Sequence, residues 1–164
     1  MQTVAIDLKS VARERGAHQP RHPLVPAAIL AFTRYWMKLS ESRPPAWSLF
    51  NLVDIQEIAP YITVMRANGN GTYEIEFMGS AVSTMVGEDL TGTQISRLNA
   101  ETAEIDWLER WRAAAEKNDL NLSTGAANPQ YTSRIEFVAA DFPFVEDGRA
   151  DISHVVALTV AKVN

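Results

Sequence analysis

The chain has no cysteine among its 164 residues. That excludes disulfides, thiolate nucleophiles, and zinc or iron–sulfur sites held by cysteine. It also lacks any apolar run near the roughly 20 residues needed to cross a bilayer. Its first residues, Met1 to Lys9, show no basic region followed by an apolar stretch, so they do not read as a secretory signal and the expected compartment is the cytoplasm. Positive charge is short as well: 15 Lys and Arg stand against 20 Asp and Glu, a net charge of −5. That balance argues against a nucleic-acid partner and against a polybasic membrane surface. No internal repeat and no low-complexity tract is present. What remains is 46% apolar, enough for a packed core, in a length that fits one domain.

Residues 1–23 mix charges with His18, Pro20, His22 and Pro23 and read as a loosely held arm, although Val4, Ile6, Leu8 and Val11 are apolar enough to pack. The domain proper is expected over 24–164. Residues 26–41 predict a helix, with Pro26 suited to the first turn and Ile29, Phe32, Trp36 and Leu39 recurring at helical spacing. Pro44-Pro45 then stops it. Asp54 and Glu57 suggest a short capped turn ending at Pro60. Tyr61–Met65 and Thr72–Met78 read as strands joined by Asn68-Gly69-Asn70-Gly71, a strong hairpin turn. Alternation places Tyr73, Ile75 and Phe77 on one face of the second strand. Ser80 is expected to cap a short helix through Val86, and a helical turn is expected near Gln94–Leu98. Residues 101–117 form an amphipathic helix with Ile105, Leu108, Trp111 and Ala115 on one stripe and Trp107 beside it. Three extended segments follow: Leu120–Ala126, Tyr131–Ala140 and Ile152–Val163, the last two linked by Glu146-Asp147-Gly148. Strands split by a helical block imply an α+β domain with an antiparallel sheet.

The order of two strands, a helical middle and three strands resembles that of PAS domains. The stretch Tyr73-Glu74-Ile75-Glu76-Phe77-Met78-Gly79-Ser80, followed by Gly87-Glu88-Asp89-Leu90-Thr91-Gly92, resembles a bacterial family of PAS-like sensory domains. In that family a strand runs into a Gly-Thr or Gly-Ser step, a short helix and a Gly-x-Asp/Glu-Leu-Thr-Gly turn, after an N-terminal helix and a proline-containing segment. Residues 27–45 and Pro44-Pro45-Ala46-Trp47 match that opening, and the resemblance covers about residues 24–163. A basic residue often precedes the Gly-Thr step; here Met78 stands there and Ser80 replaces Thr, so no particular ligand contact carries over. The resemblance implies a five-stranded antiparallel sheet with helices on its inner face and one N-terminal helix outside. It also implies a sensory or regulatory role in bacterial signalling, exerted on a small molecule or a protein partner. With no kinase, cyclase or DNA-binding segment in the sequence, output is expected to pass through another protein or through self-association.

The expected pocket lies between sheet and helices, lined by Tyr73, Ile75, Phe77, Trp107, Leu108, Trp111, Ile135 and Phe137. Each of these also fits plain core packing. His154 shares a face with Ile152, Val156 and Leu158, expected to be the inner one; a lone histidine there hydrogen-bonds locally more often than it holds a metal. His18 and His22 are separated by Pro20, which breaks a helical two-histidine clamp. No catalytic motif is present, and the carboxylate pairs Asp54/Glu57, Glu101/Glu104, Asp106/Glu109 and Glu146/Asp147 fit caps or wet faces. No cofactor is indicated. Flavin photochemistry through a cysteine adduct is excluded by the absence of cysteine, and haem is not expected because the long helix offers no histidine ligand. The stripe Ile29, Phe32, Trp36 and Leu39 serves either its own sheet or a second copy in a homodimer. Two rival readings remain: an enzyme or ligand carrier on a cone-like α+β scaffold, which requires ionisable residues converging in the cavity, and a pure interaction domain with a filled core.

Overall fold

The computed structural model describes residues 2–14, 24–40, 43–97, 102–127 and 133–163. Along the chain run strand β1 (Gln2–Thr3), helix α1 (Leu8–Arg13), helix α2 (Ala27–Leu39), two 3-10 segments (Trp47–Leu49 and Leu52–Tyr61), strands β2 (Ile62–Ala67) and β3 (Tyr73–Met78), helix α3 (Ser80–Val86), strand β4 (Gln94–Ile95), helix α4 (Thr102–Lys117), and strands β5 (Asn121–Ala127), β6 (Ile135–Val145) and β7 (Ile152–Ala161). Among the described residues the strands form one antiparallel sheet in the order β1-β5-β6-β7-β2-β3-β4. The five long strands are those expected from the sequence. The two-residue strands β1 and β4 extend the sheet at its edges.

β2 pairs with both β3 and β7, so the glycine-punctuated hairpin and the valine-rich C-terminal strand belong to one sheet. The hairpin turns because Gly69 and Gly71 take φ of 80° and 78°, a region that costs other residues strain. At Gly79 the reason for glycine is different. It donates from its N–H to the Ile62 carbonyl at 2.8 Å, and a Cβ there would collide with the backbone carbonyls of Ala59 and Pro60.

The sheet is covered on both faces. α3 and α4 lie on one face, over Met65, Ile75, Met78, Val155 and Ala157. α1 and α2 lie on the other, over Val64, Phe142, Phe144, Val156 and Leu158. Ile29, Phe32 and Trp36 are buried on this second face, with Phe32 edge-on to Phe142 at 4.7 Å and the Trp36 Nε1–H donating to the Pro143 carbonyl at 3.0 Å. The stripe expected to serve either its own sheet or a second copy is therefore occupied by its own sheet, and only Leu39 of the four stays partly exposed.

Several expectations need correction. Residues 2–14 are not loose: β1 pairs with β5, Leu8 and Ala12 are buried, and α1 packs on α2. Val4, Ile6, Leu8 and Val11 supply the apolar contacts that hold this segment down. The cap before the second 3-10 segment is Asn51, whose Oδ1 accepts from the Val53 N–H at 3.0 Å, and not Asp54. Gly79, not Ser80, occupies the cap of α3, and no described side chain caps the first N–H groups of the helix. Residues 94–95 form a strand, because Ile95 is 1% exposed and pairs with Tyr73 at the sheet edge. β6 runs on to Val145, past the expected end at Ala140. Its pairing with β5 stops at Asp141, so the missing N–H of Pro143 faces no β5 ladder. His18, His22, Pro20 and residues 131–132 lie outside the described residues.

Candidate functional site

Side-chain alternation sets what each face presents. On β6, Ile135, Phe137, Ala139 and Asp141 point toward α4, while Val138, Ala140, Phe142 and Phe144 point toward α2. On β7, Val155 and Ala157 point toward α4, and His154, Val156 and Leu158 toward the N-terminal layer.

Under α4, Tyr73, Ile75, Leu108 and Trp111 share one buried cluster with Trp107 packed against it. Trp111 meets Tyr73 at 6.1 Å and Trp107 at 6.0 Å between ring centroids. Burial raises the Tyr73 hydroxyl above its usual range. Phe137 and Ile135 form a second apolar patch on the same face with Met85, Ala127 and Ala139. Seven of the nine expected pocket residues therefore lie on one face.

Two do not. Phe77 packs with the N-terminal layer. Val64 pairs with Phe77 and Met65 with Ile75, so Glu76 is an extra residue in β3. This bulge breaks the alternation that the sequence reading extended through Phe77. His154 also faces the N-terminal layer, correcting the expected inner placement. Its ring stacks on Trp47 at 3.8 Å and 6°, its Nε2 lies 3.4 Å from Glu76, and its Nδ1 lies 2.9 Å from the Ser153 hydroxyl. Burial pushes its pKa down to about 4, with Glu146 opposing that shift and Arg66 adding to it. His154 is thus neutral near pH 7 and clamps the segment around Trp47 to the sheet.

Between the two inner apolar patches lies an ion pair. Arg110, on α4, is 2% exposed, and Asp141, on β6, is 0% exposed. The guanidinium grips the carboxylate through two bonds, Nε to Oδ2 and Nη2 to Oδ1, each 3.1 Å, and its carbon stands 5.6 Å from the centre of the Phe137 ring. A buried bidentate pair is among the stronger charge-assisted contacts. On the same face, the Ser123 hydroxyl, the Trp111 indole N–H and the Arg110 Nη1 are buried without hydrogen-bond partners among the described residues. Buried polar groups are nearly always satisfied, so such groups call for a reason. The sequence held a signal for this centre. Arg110 falls at i+3 from Trp107 and beside Trp111, inside the apolar stripe, and Asp141 is the lone charge in Val138-Ala139-Ala140-Asp141-Phe142-Pro143-Phe144.

The Gly87–Gly92 motif forms the rim of this face. Gly87 closes α3 in a left-handed conformation, Leu90 is buried among the inner residues, and Gly92 donates to the Ile75 carbonyl at 2.7 Å. Asp89 accepts from both the backbone and the hydroxyl of Thr91, which holds its carboxyl below the usual range. Gly87, Asp89, Leu90, Thr91 and Gly92 thus each have a structural task.

A family model described as a PAS domain matches residues 25–154 of this chain. No curated protein matches it. Among solved structures, it is similar to the Rhodobacter sphaeroides LOV protein, at 10% identity over 68% of this chain and 68% of that one, with a TM-score of 0.47. The PAS domain of Bordetella pertussis BvgS is 8% identical over 70% of this chain and 88% of its own, with a TM-score of 0.42. A fungal LOV domain photoreceptor is 10% identical over 83% of this chain and 94% of its own, with a TM-score of 0.48.

Proposed function

This chain belongs to the PAS domain family, and on that premise we propose that it is a sensory module that binds a small molecule between α4 and the sheet, within bacterial signal transduction. The observation that carries the reading is the Arg110–Asp141 pair set between two apolar patches, with Arg110 Nη1 and the Ser123 hydroxyl buried there and unpartnered among the described residues. An apolar site with a few fixed polar groups is the usual form of a small-molecule pocket. Arg110 and Asp141 bind each other, which favours recognition over proton transfer by either. The rival enzyme or carrier reading draws on the same two ionisable residues and differs in predicting turnover.

Output would pass through β6 and β7. Both strands touch α4 with one set of side chains and the N-terminal layer with the other, so a ligand that moves the inner set biases the outer one. A partner protein or a second copy would then meet the outside of the N-terminal layer, since Ile29, Phe32 and Trp36 are buried. Thermal-shift screening against a metabolite library, with native mass spectrometry of the purified protein, tests the reading. A stabilising compound whose effect disappears in the Arg110→Met/Asp141→Leu double variant supports it. Conversion of the compound favours the enzyme. Absence of any binder that depends on the pair refutes the proposal.

A further inference from the structure

We infer that the inner face takes an uncharged ligand and grips it by a hydrogen-bond acceptor, a carbonyl or carboxamide oxygen, placed between Arg110 Nη1 and Ser123 Oγ. The inference rests on the reading of this face as a ligand site. Arg110 commits Nε and Nη2 to Asp141, and Nη1 is left buried with two N–H groups and no acceptor among the described residues. The guanidinium spans β6 from Asp141 to the Phe137 ring and so passes over Ala139, which lies between them on the same face. The strand register pairs Ala139 with Ser123 on β5. Ser123 therefore flanks the guanidinium, and its hydroxyl is also buried and unpartnered. Ala139 adds only a methyl group beneath. At Gly125, paired with Phe137, the Phe137 ring takes the place a side chain would fill and closes this end of the site.

The charge of the ligand follows from the pair. Arginine only donates, and its positive charge is already matched by Asp141. An anionic ligand would leave one net negative charge in a buried site, which is unfavourable, whereas a neutral acceptor satisfies the spare donors and leaves the charge balanced. The apolar patches on either side would take the hydrocarbon part of the molecule.

Three probes of similar shape separate the possibilities: benzamide, benzoate and toluene. Binding is followed by tryptophan fluorescence and by the side-chain NMR signals of Arg110 and Trp111. Benzamide is expected to bind tightest and to shift the Arg110 signals. Ser123→Ala should weaken benzamide about fivefold, in line with the loss of one neutral hydrogen bond, and leave toluene unchanged. The same substitution removes an unpartnered buried hydroxyl, so the ligand-free protein should be no less stable, which keeps folding out of the readout. Benzoate binding as tightly as benzamide overturns the inference. So does toluene binding equally well, or a benzamide-soaked crystal with only a water between Nη1 and Oγ; in either case the ligand site itself stands. Failure of all three probes to reach this face overturns both the inference and the site.

Discussion

Arg110 and Asp141 hold each other through two 3.1 Å bonds from opposite sides of the inner layer, and neither is exposed by more than 2%. Such a pair is costly to bury and more costly to break. Asp141→Ala leaves an arginine without its counter-charge and is expected to lose about 3–5 kcal/mol of stability. Arg110→Met/Asp141→Leu removes both charges together and should lose far less. Urea denaturation of the two variants checks this; equal losses would show that the pair does not act as a unit.

Gly79 and Gly69 are both glycines near β3, yet they answer to different constraints. A Cβ at Gly79 meets backbone carbonyls of Ala59 and Pro60, which can yield only if the second 3-10 segment moves. At Gly69 the same Cβ meets nothing and only the φ of 80° is unfavourable. Gly79→Ala should therefore lose about 2–4 kcal/mol and Gly69→Ala about 1 kcal/mol, measured by chemical denaturation.

His154 gives the fold a defined response to acid. Its folded pKa of about 4 lies below the ordinary 6.5, so between those values the unfolded chain binds a proton that the folded chain refuses. Stability is therefore full above pH 6.5 and falls as pH drops toward 4. Reduced for solvent screening, the loss is about 1–2 kcal/mol. His154→Gln should flatten that part of the stability-versus-pH curve, read by thermal melts from pH 7 to 4. An unchanged slope would assign the acid response to the carboxylates alone.

Strand and helix order were legible in the sequence because periodicity reports burial directly. Phe77 shows where that fails. Its alternation with Tyr73 and Ile75 is unbroken in the sequence, and the bulge at Glu76 arises only from pairing with β2. Pro143 shows the same limit from the other side: a proline reads as a strand end until the topology shows that β5 has already stopped. For His154, both faces of β7 are apolar, so the face assignment depended on which helices cover which side. Arg110 and Asp141 were visible as charges in apolar stretches, but each gains its meaning only from the other, 31 residues away.

Gly125 tests whether the inner layer transmits strain to the ion pair. An added Cβ would lie 2.6 Å from Phe137 Cζ and 3.0 Å from Cε2, inside contact distance. The obstacle is a side chain, so Phe137 would have to rotate or slide rather than the backbone. Above that ring stands the Arg110 guanidinium, 5.6 Å from its centre and tied to Asp141. Phe137 therefore cannot move freely without loosening the fork. Gly125→Ala should lose about 1–3 kcal/mol, the usual range for an overpacked core. In the Arg110→Met/Asp141→Leu background the ring meets a flexible thioether instead of a fixed guanidinium, and the same substitution should lose about 1 kcal/mol less. A double-mutant cycle by denaturation measures that difference. Strict additivity would mean that Phe137 and the ion pair yield independently, and that strain at the β5 end of the sheet does not reach Arg110.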